Sequence, residues 1–169
     1  MLNYRTKQFN IKREIDMKPG NFRIYTDSSA ANFYFVPPKL DEWGRIAKNG
    51  CVMTEFAQLN KEISNENQRY FQWNAKILFA ISLEDLTVLF ENKENPNPIL
   101  HNVPKTTITK KLDIELGEGK FEGTMRLTLH EFDKKNGLHK QITVSFTKGQ
   151  YLVLLKLLES VIPKMIGWQ

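Results

Sequence analysis

Thr147-Lys-Gly-Gln-Tyr-Leu-Val-Leu-Leu-Lys-Leu-Leu-Glu-Ser-Val-Ile-Pro163 decides how this chain is read. Thr147 suits an N-cap, because its hydroxyl accepts from a free amide of the first turn, and Pro163 lacks the N–H that continues a helix. The segment predicts a helix from Thr147 to about Ile162. Tyr151, Leu152, Val153, Leu154, Leu155, Leu157, Leu158, Val161 and Ile162 leave only Lys156, Glu159 and Ser160 as a thin polar strip. A helix apolar almost all round has to be covered on both sides. One sheet covers one side, and a second subunit is the natural cover for the other. Tyr151, Leu154, Leu155, Leu158 and Ile162, with Trp168 beyond, are read as an oligomerisation element; a helix buried wholly within its own chain is the alternative.

Working back from this helix, Ile142, Val144 and Phe146 alternate with Thr143 and Ser145, after an Asn136-Gly137 turn. Lys120 to Phe132 and Thr107 to Leu116 alternate in the same way, each predicting a half-buried antiparallel strand. Asn92 to Lys105, with Pro96, Pro98 and Pro104, is a loop with at most a short edge strand at Ile99 and Leu100. Ser82-Leu-Glu-Asp85 starts a short helix, with Leu83, Leu86 and Phe90 on one face. Tyr70 to Ile81 predicts a strand with Phe71, Trp73, Ile77, Phe79 and Ile81 at period two. Asn60 to Gln68 is a polar loop, and Phe22–Thr26, Ala31–Val36 and Cys51–Ala57 are further strands.

At 169 residues the chain suits one domain, and 41% hydrophobic with 25% charged residues is a globular composition. Its 24 basic and 19 acidic residues leave a net charge of +5. Such a bias can steer a polyanion, but something else must supply much of the affinity. Cys51 alone permits no intrachain disulfide, which favours a reducing compartment. No apolar run reaches membrane-span length, and residues 1–19 read as a basic arm ending at Pro19-Gly20 rather than as a secretory or transit signal. The expectation is a cytoplasmic protein of a bacterium or phage-infected host, with organelle and nucleus left open.

Three phrases, in order, carry a family resemblance: Gly50-Cys-Val-Met-Thr-Glu-Phe-Ala57, Tyr70-Phe-Gln-Trp-Asn-Ala-Lys-Ile-Leu-Phe-Ala-Ile-Ser-Leu83 and Val161-Ile-Pro-Lys-Met-Ile-Gly-Trp168. From about Asn21 to Gln169 the chain resembles the Whirly single-stranded-DNA-binding proteins. The resemblance implies an α+β fold of two four-stranded antiparallel sheets with a helix after each, and helices at the centre of a homotetramer. It implies single strands lying along the sheets and between subunits, with bases stacked on side chains. One phrase departs: Asp27-Ser28-Ser29-Ala30-Ala31 stands where the family has Lys-Gly-Lys-Ala-Ala. That phrase is associated with DNA binding and with assembly of tetramers into larger particles, so the expectation stops at the tetramer.

A sequence-tolerant single-strand site needs flat rings for bases and cations along the phosphates, with stacking contributing about 1–3 kcal/mol per base. Tyr70, Phe71 and Trp73, with Arg69 and Lys76 beside them, meet this need, as do Tyr34, Lys39, Arg45 and Lys48, while Lys111 and Arg126 form a basic edge. Strand aromatics also build cores, and Trp73 is read equally as packing inside. Catalysis has little support: His101, His130 and His139 lack metal-ligand spacing, Cys51 sits among apolar residues, and Gly117-Glu-Gly119 reads as a hairpin turn. No cofactor and no enzymatic activity are expected. The leading reading is a single-stranded DNA binder of replication, repair or recombination. A single-stranded RNA binder of the same fold, or an interaction module with a decayed site, are the alternatives.

Overall fold

A computed structural model of the chain describes residues 20–65, 68–93 and 95–168; the basic arm lies outside the described residues. The chain runs through β1 (Asn21–Tyr25), β2 (Ser29–Val36), β3 (Lys39–Leu40), β4 (Ile46–Lys48), β5 (Cys51–Gln58), β6 (Ile77–Ile81) and α1 (Leu83–Glu91). It continues through β7 (Ile99–Asn102), β8 (Ile108–Leu116), β9 (Thr124–Asp133), β10 (Leu138–Thr147) and α2 (Lys148–Met165). Two four-stranded antiparallel sheets result, ordered β1-β2-β5-β6 and β10-β9-β8-β7, each followed in sequence by a helix. The α+β architecture expected from the sequence is present. Between β2 and β5 the chain forms a small two-stranded ribbon of β3 and β4.

Alternation sets the faces. In the first sheet the register aligns Ile24, Ala31, Phe56 and Ile77 across four strands, with Phe33 and Phe79 in the next row. The second aligns Leu112, Leu129 and Ile142, then Ile114, Leu127 and Val144. All are buried in one apolar core shared with Leu86 and Leu89 of α1 and Leu154, Leu155 and Leu158 of α2. Phe33 meets Phe146 edge-on at 6.0 Å, joining the sheets. Burying each such side chain stabilises the fold by about 1.5–3 kcal/mol.

Caps hold both helices. Ser82 and Asp85 form a capping box on α1, and the buried Asp85 carboxylate also meets His101 Nε2 at 3.0 Å. His101 stacks on Phe79 at 4.3 Å, so this histidine ties α1 to β7. Thr147 and Gln150 form the capping box of α2. That helix does not stop at Ile162 but passes Pro163 and ends at Met165. Proline here removes a single bond from the last turn. Gly167, at φ 75°, then closes the end as the Trp168 amide donates to Pro163 O and the Gly167 amide to Lys164 O.

α2 divides its apolar surface unequally. Tyr151, Leu154, Leu155 and Leu158 are buried in the chain's own core, so of the six residues read as an oligomerisation element these four face inward. The Tyr151 hydroxyl donates to Lys93 O at 2.8 Å, and burial pushes its phenol up to about 12. Ile162 is half-buried, while Leu152, Val153, Leu157 and Trp168 stay exposed. Replacing Thr147 by Ala is expected to cost about 1 kcal/mol, read as a lower urea midpoint at unchanged m-value.

Candidate nucleic-acid interface

The outward face of the first sheet gathers the aromatic candidates. Tyr70 and Phe71 follow the loop after β5, where Phe71 bridges Leu59. Trp73 is not in a strand as the periodicity predicted: Trp73–Ala75 is a turn of 3-10 helix, and β6 begins only at Ile77. Asn74 favours a turn locally, and the Lys140 ammonium, on β10, donates to Ala75 O. Lys110 does the same to Leu78 O at 2.8 Å. Lys140 thus braces the turn that carries Trp73, and Lys110 the strand that follows it.

Tyr25 meets Phe71 at 5.5 Å between centroids, and with Arg69, Tyr70 and Trp73 these rings line a cleft of about 500 Å³. Tyr25 and Trp73 also wall an adjoining cleft of about 290 Å³, completed by Arg23, Asn32, Glu55 and Lys76. Tyr25 is 55% and Tyr70 41% exposed, so both rings are open to solvent. Of the sequence-derived candidates, the fold brings Tyr70, Phe71, Trp73 and Lys76 together around these clefts, and Tyr34 joins them through Glu55.

Glu55 organises the floor. It is 8% exposed, and its carboxylate accepts from Lys76 Nζ at 2.7 Å, Tyr34 Oη at 3.3 Å and Asn32 Nδ2 at 3.1 Å. Burial alone raises its pKa; the bonds from Lys76, Asn32 and Tyr34 outweigh burial and hold the carboxyl below its ordinary value. The Tyr34 phenol is pushed up, by its own burial and by the Glu55 charge. Tyr34 and Lys76 are thus engaged with an acid inside the site.

Other candidates lie elsewhere. Lys39 and Lys48 are paired across the β3–β4 ribbon. Arg45 is bound to Asp41 at 2.9 Å, and Trp43 is 74% exposed at the ribbon's tip. Lys111 and Arg126 belong to the second sheet, where Lys111 pairs with Asp113 at 2.8 Å and Arg126 lies over Phe121 at 5.7 Å. Phe121 sits on a 3-10 turn before β9 rather than in the strand predicted from Lys120. In the departed phrase, Asp27 forms an ion pair with Arg69 at 2.7 Å.

The sequence reading passed over Arg23, Tyr25, Asn32 and Glu55. Arg23 and Tyr25 were signalled by their spacing of two on β1; the meeting of Asn32 with Glu55 follows only from the β2–β5 register. Among the described residues no cluster of three or more His, Cys, Asp or Glu suits a metal ion.

No protein-family model and no curated protein matches the sequence. Solved structures do. WHY1 of Arabidopsis thaliana superposes at a TM-score of 0.72 with 19% identity, over 89% of this chain and 92% of that one. WHY3 of the same plant gives 0.74 and 21%, over 88% and 89%. The plant transcriptional regulator PBF-2 gives 0.74 and 20%, over 89% and 84%. The chain therefore has the Whirly fold, as the sequence resemblance implied.

On the second sheet, His130 stacks with Phe132 at 5.7 Å and with His139 at 5.2 Å, and its Nε2 meets Asp113 at 3.0 Å. Burial lowers the His130 pKa; His139 and Lys111 push the same way, against Asp113. An unfolded histidine takes its proton near pH ~6.5, so below that value the unfolded chain binds more protons and stability falls. The urea midpoint is expected to drop between pH ~7.5 and ~5.5, and His130→Gln to flatten that drop.

Proposed function

We propose that this chain, folded as the Whirly proteins are, binds single-stranded DNA by stacking bases on the outward face of its first sheet and holding phosphates with nearby cations. The observation that carries the reading is the convergence of Tyr25, Tyr70, Phe71 and Trp73 with Arg23, Arg69 and Lys76 around two adjoining clefts. Stacking tolerates any base, because every base has a π-face, and it compensates for a net charge of only +5. Protection of transient single strands in replication, repair or recombination fits such a surface, which needs neither a cofactor nor a reaction.

The assembly we propose is a homotetramer with helices at its centre. Val153, Leu157 and Val161 recur at i, i+4 and i+8 on α2, with Val153 and Leu157 exposed and Val161 half-buried. They run beside an apolar groove of about 230 Å³ lined by Phe22, Phe33, Phe35 and Val52. An exposed stripe of this kind, next to a groove of the same chemistry, suits association with copies of the same chain.

Titration of labelled single-stranded DNA of about 30 nucleotides at several salt concentrations tests the binding, with duplex DNA and single-stranded RNA as competitors. Single strands are expected to bind tightly and duplex to compete poorly. Tyr25→Ala and Tyr70→Ala are each expected to weaken binding roughly five- to a hundredfold, the loss of about 1–3 kcal/mol of stacking. Equal affinity for single strands and duplex removes the proposal; a winning RNA competitor changes its ligand. Light scattering tests the assembly: the expected mass is four times that of the 19.7 kDa chain, and Leu157→Glu is expected to lower it without unfolding the protein.

A further inference from the structure

We infer that the smaller cleft on the first sheet is a base-reading pocket that selects guanine from the single strand, with Glu55 and Asn32 accepting from its Watson–Crick edge. The inference rests on the single-strand reading above and adds selectivity to a surface whose stacking alone has none.

A carboxylate is an unexpected occupant of a site meant for a polyanion, since it repels phosphate. Glu55 is nevertheless built in. Its side chain is 11% exposed beside Lys76, and three hydrogen bonds hold it in place. Base edges, unlike phosphates, offer N–H donors, and an ionised carboxylate is an acceptor only. The acid therefore suits a base and not a backbone.

The accounting of lone pairs narrows the choice. Oε1 of Glu55 accepts from Lys76 and Tyr34, which fills it, whereas Oε2 accepts from Asn32 alone among the described residues. Asn32 Oδ1 accepts from Arg23 Nε at 3.3 Å, and an amide oxygen has room for a second donor. Two neighbouring oxygens thus retain acceptor capacity, and the cations Arg23 and Lys76 flank them in the same cleft. Guanine presents two adjacent donors, N1–H and the N2 amine, followed by the O6 acceptor. Adenine and cytosine present one donor beside an acceptor. Thymine sets its N3–H between two carbonyl oxygens, which a carboxylate repels. Only guanine supplies two donors to two oxygens and an acceptor to a cation. Tyr25 and Trp73 line the same cleft and offer ring surface to the inserted base.

Twelve-nucleotide oligothymidine tests the pocket against versions with one central dG, dA, dC or deoxyinosine, the last keeping N1–H and O6 but lacking the N2 amine. With wild-type protein the dG oligomer is expected to bind about fivefold tighter or more than the thymidine parent, the scale of a good paired base contact. Deoxyinosine should fall between them, and dA and dC should stay near the parent. Glu55→Gln is expected to bring the dG-to-dT ratio of Kd values, taken within the variant, close to one. Equal affinity of wild-type protein for all five oligomers overturns the pocket while leaving single-strand binding intact; binding to none overturns both. Should Glu55→Gln fail to fold, the deoxyinosine comparison in wild-type protein decides alone.

Discussion

Each sheet of this protein has one face to hide, and both hide it in the same core beneath α2. Phe33, Phe56 and Phe79 come from one sheet and Leu127, Leu129 and Phe146 from the other, while Leu154, Leu155 and Leu158 close over them. Because one core serves both sheets, their relative placement is fixed, and everything on the outward faces inherits that placement. A void in this core would loosen the candidate interface along with the fold, since packed interiors transmit strain.

The outward face of the first sheet depends on this arrangement through two long lysine side chains. Lys110 and Lys140 reach out from the second sheet, Lys110 to the carbonyl of Leu78 in β6 and Lys140 to that of Ala75 in the turn before it. Ala75 closes the turn Trp73–Ala75, and Leu78 lies in β6 just after it. Lys140, which composition counts toward a polyanion site, thus braces the turn that carries a ring. Lys110 and Lys140 are engaged with backbone carbonyls and Arg69 with Asp27, so these three cations are committed to partners within the chain. Single-strand binding of the kind proposed for this face would lean on ring surface rather than on Coulomb attraction.

Glu55 gives the same face a second character. Its carboxylate joins Tyr34, Asn32 and Lys76 into one bonded group, so polar floor and aromatic walls are held as a unit. Rigid polar groups beside stacking surfaces distinguish bases by their edges, whereas rings alone do not.

The sequence by itself determined the faces of most strands, both N-caps and the order of elements, because alternation, helical period and capping chemistry are properties of neighbours along the chain. Ile142, Val144 and Phe146 had to point inward whatever the topology, and Thr147 had to start a helix. Tertiary structure set the break of the run from Tyr70 to Ile81 at Trp73: Asn74 offers a local turn signal, but the Lys140 tether that meets it acts across 65 positions. It decided that Tyr151, Leu154, Leu155 and Leu158 would fill the chain's own core while Leu152, Val153 and Leu157 remained outside. It also brought Asn32 to Glu55 through a strand register no local pattern encodes. Local periodicity states that a residue is apolar or outward; which partner it meets depends on how distant segments share one core.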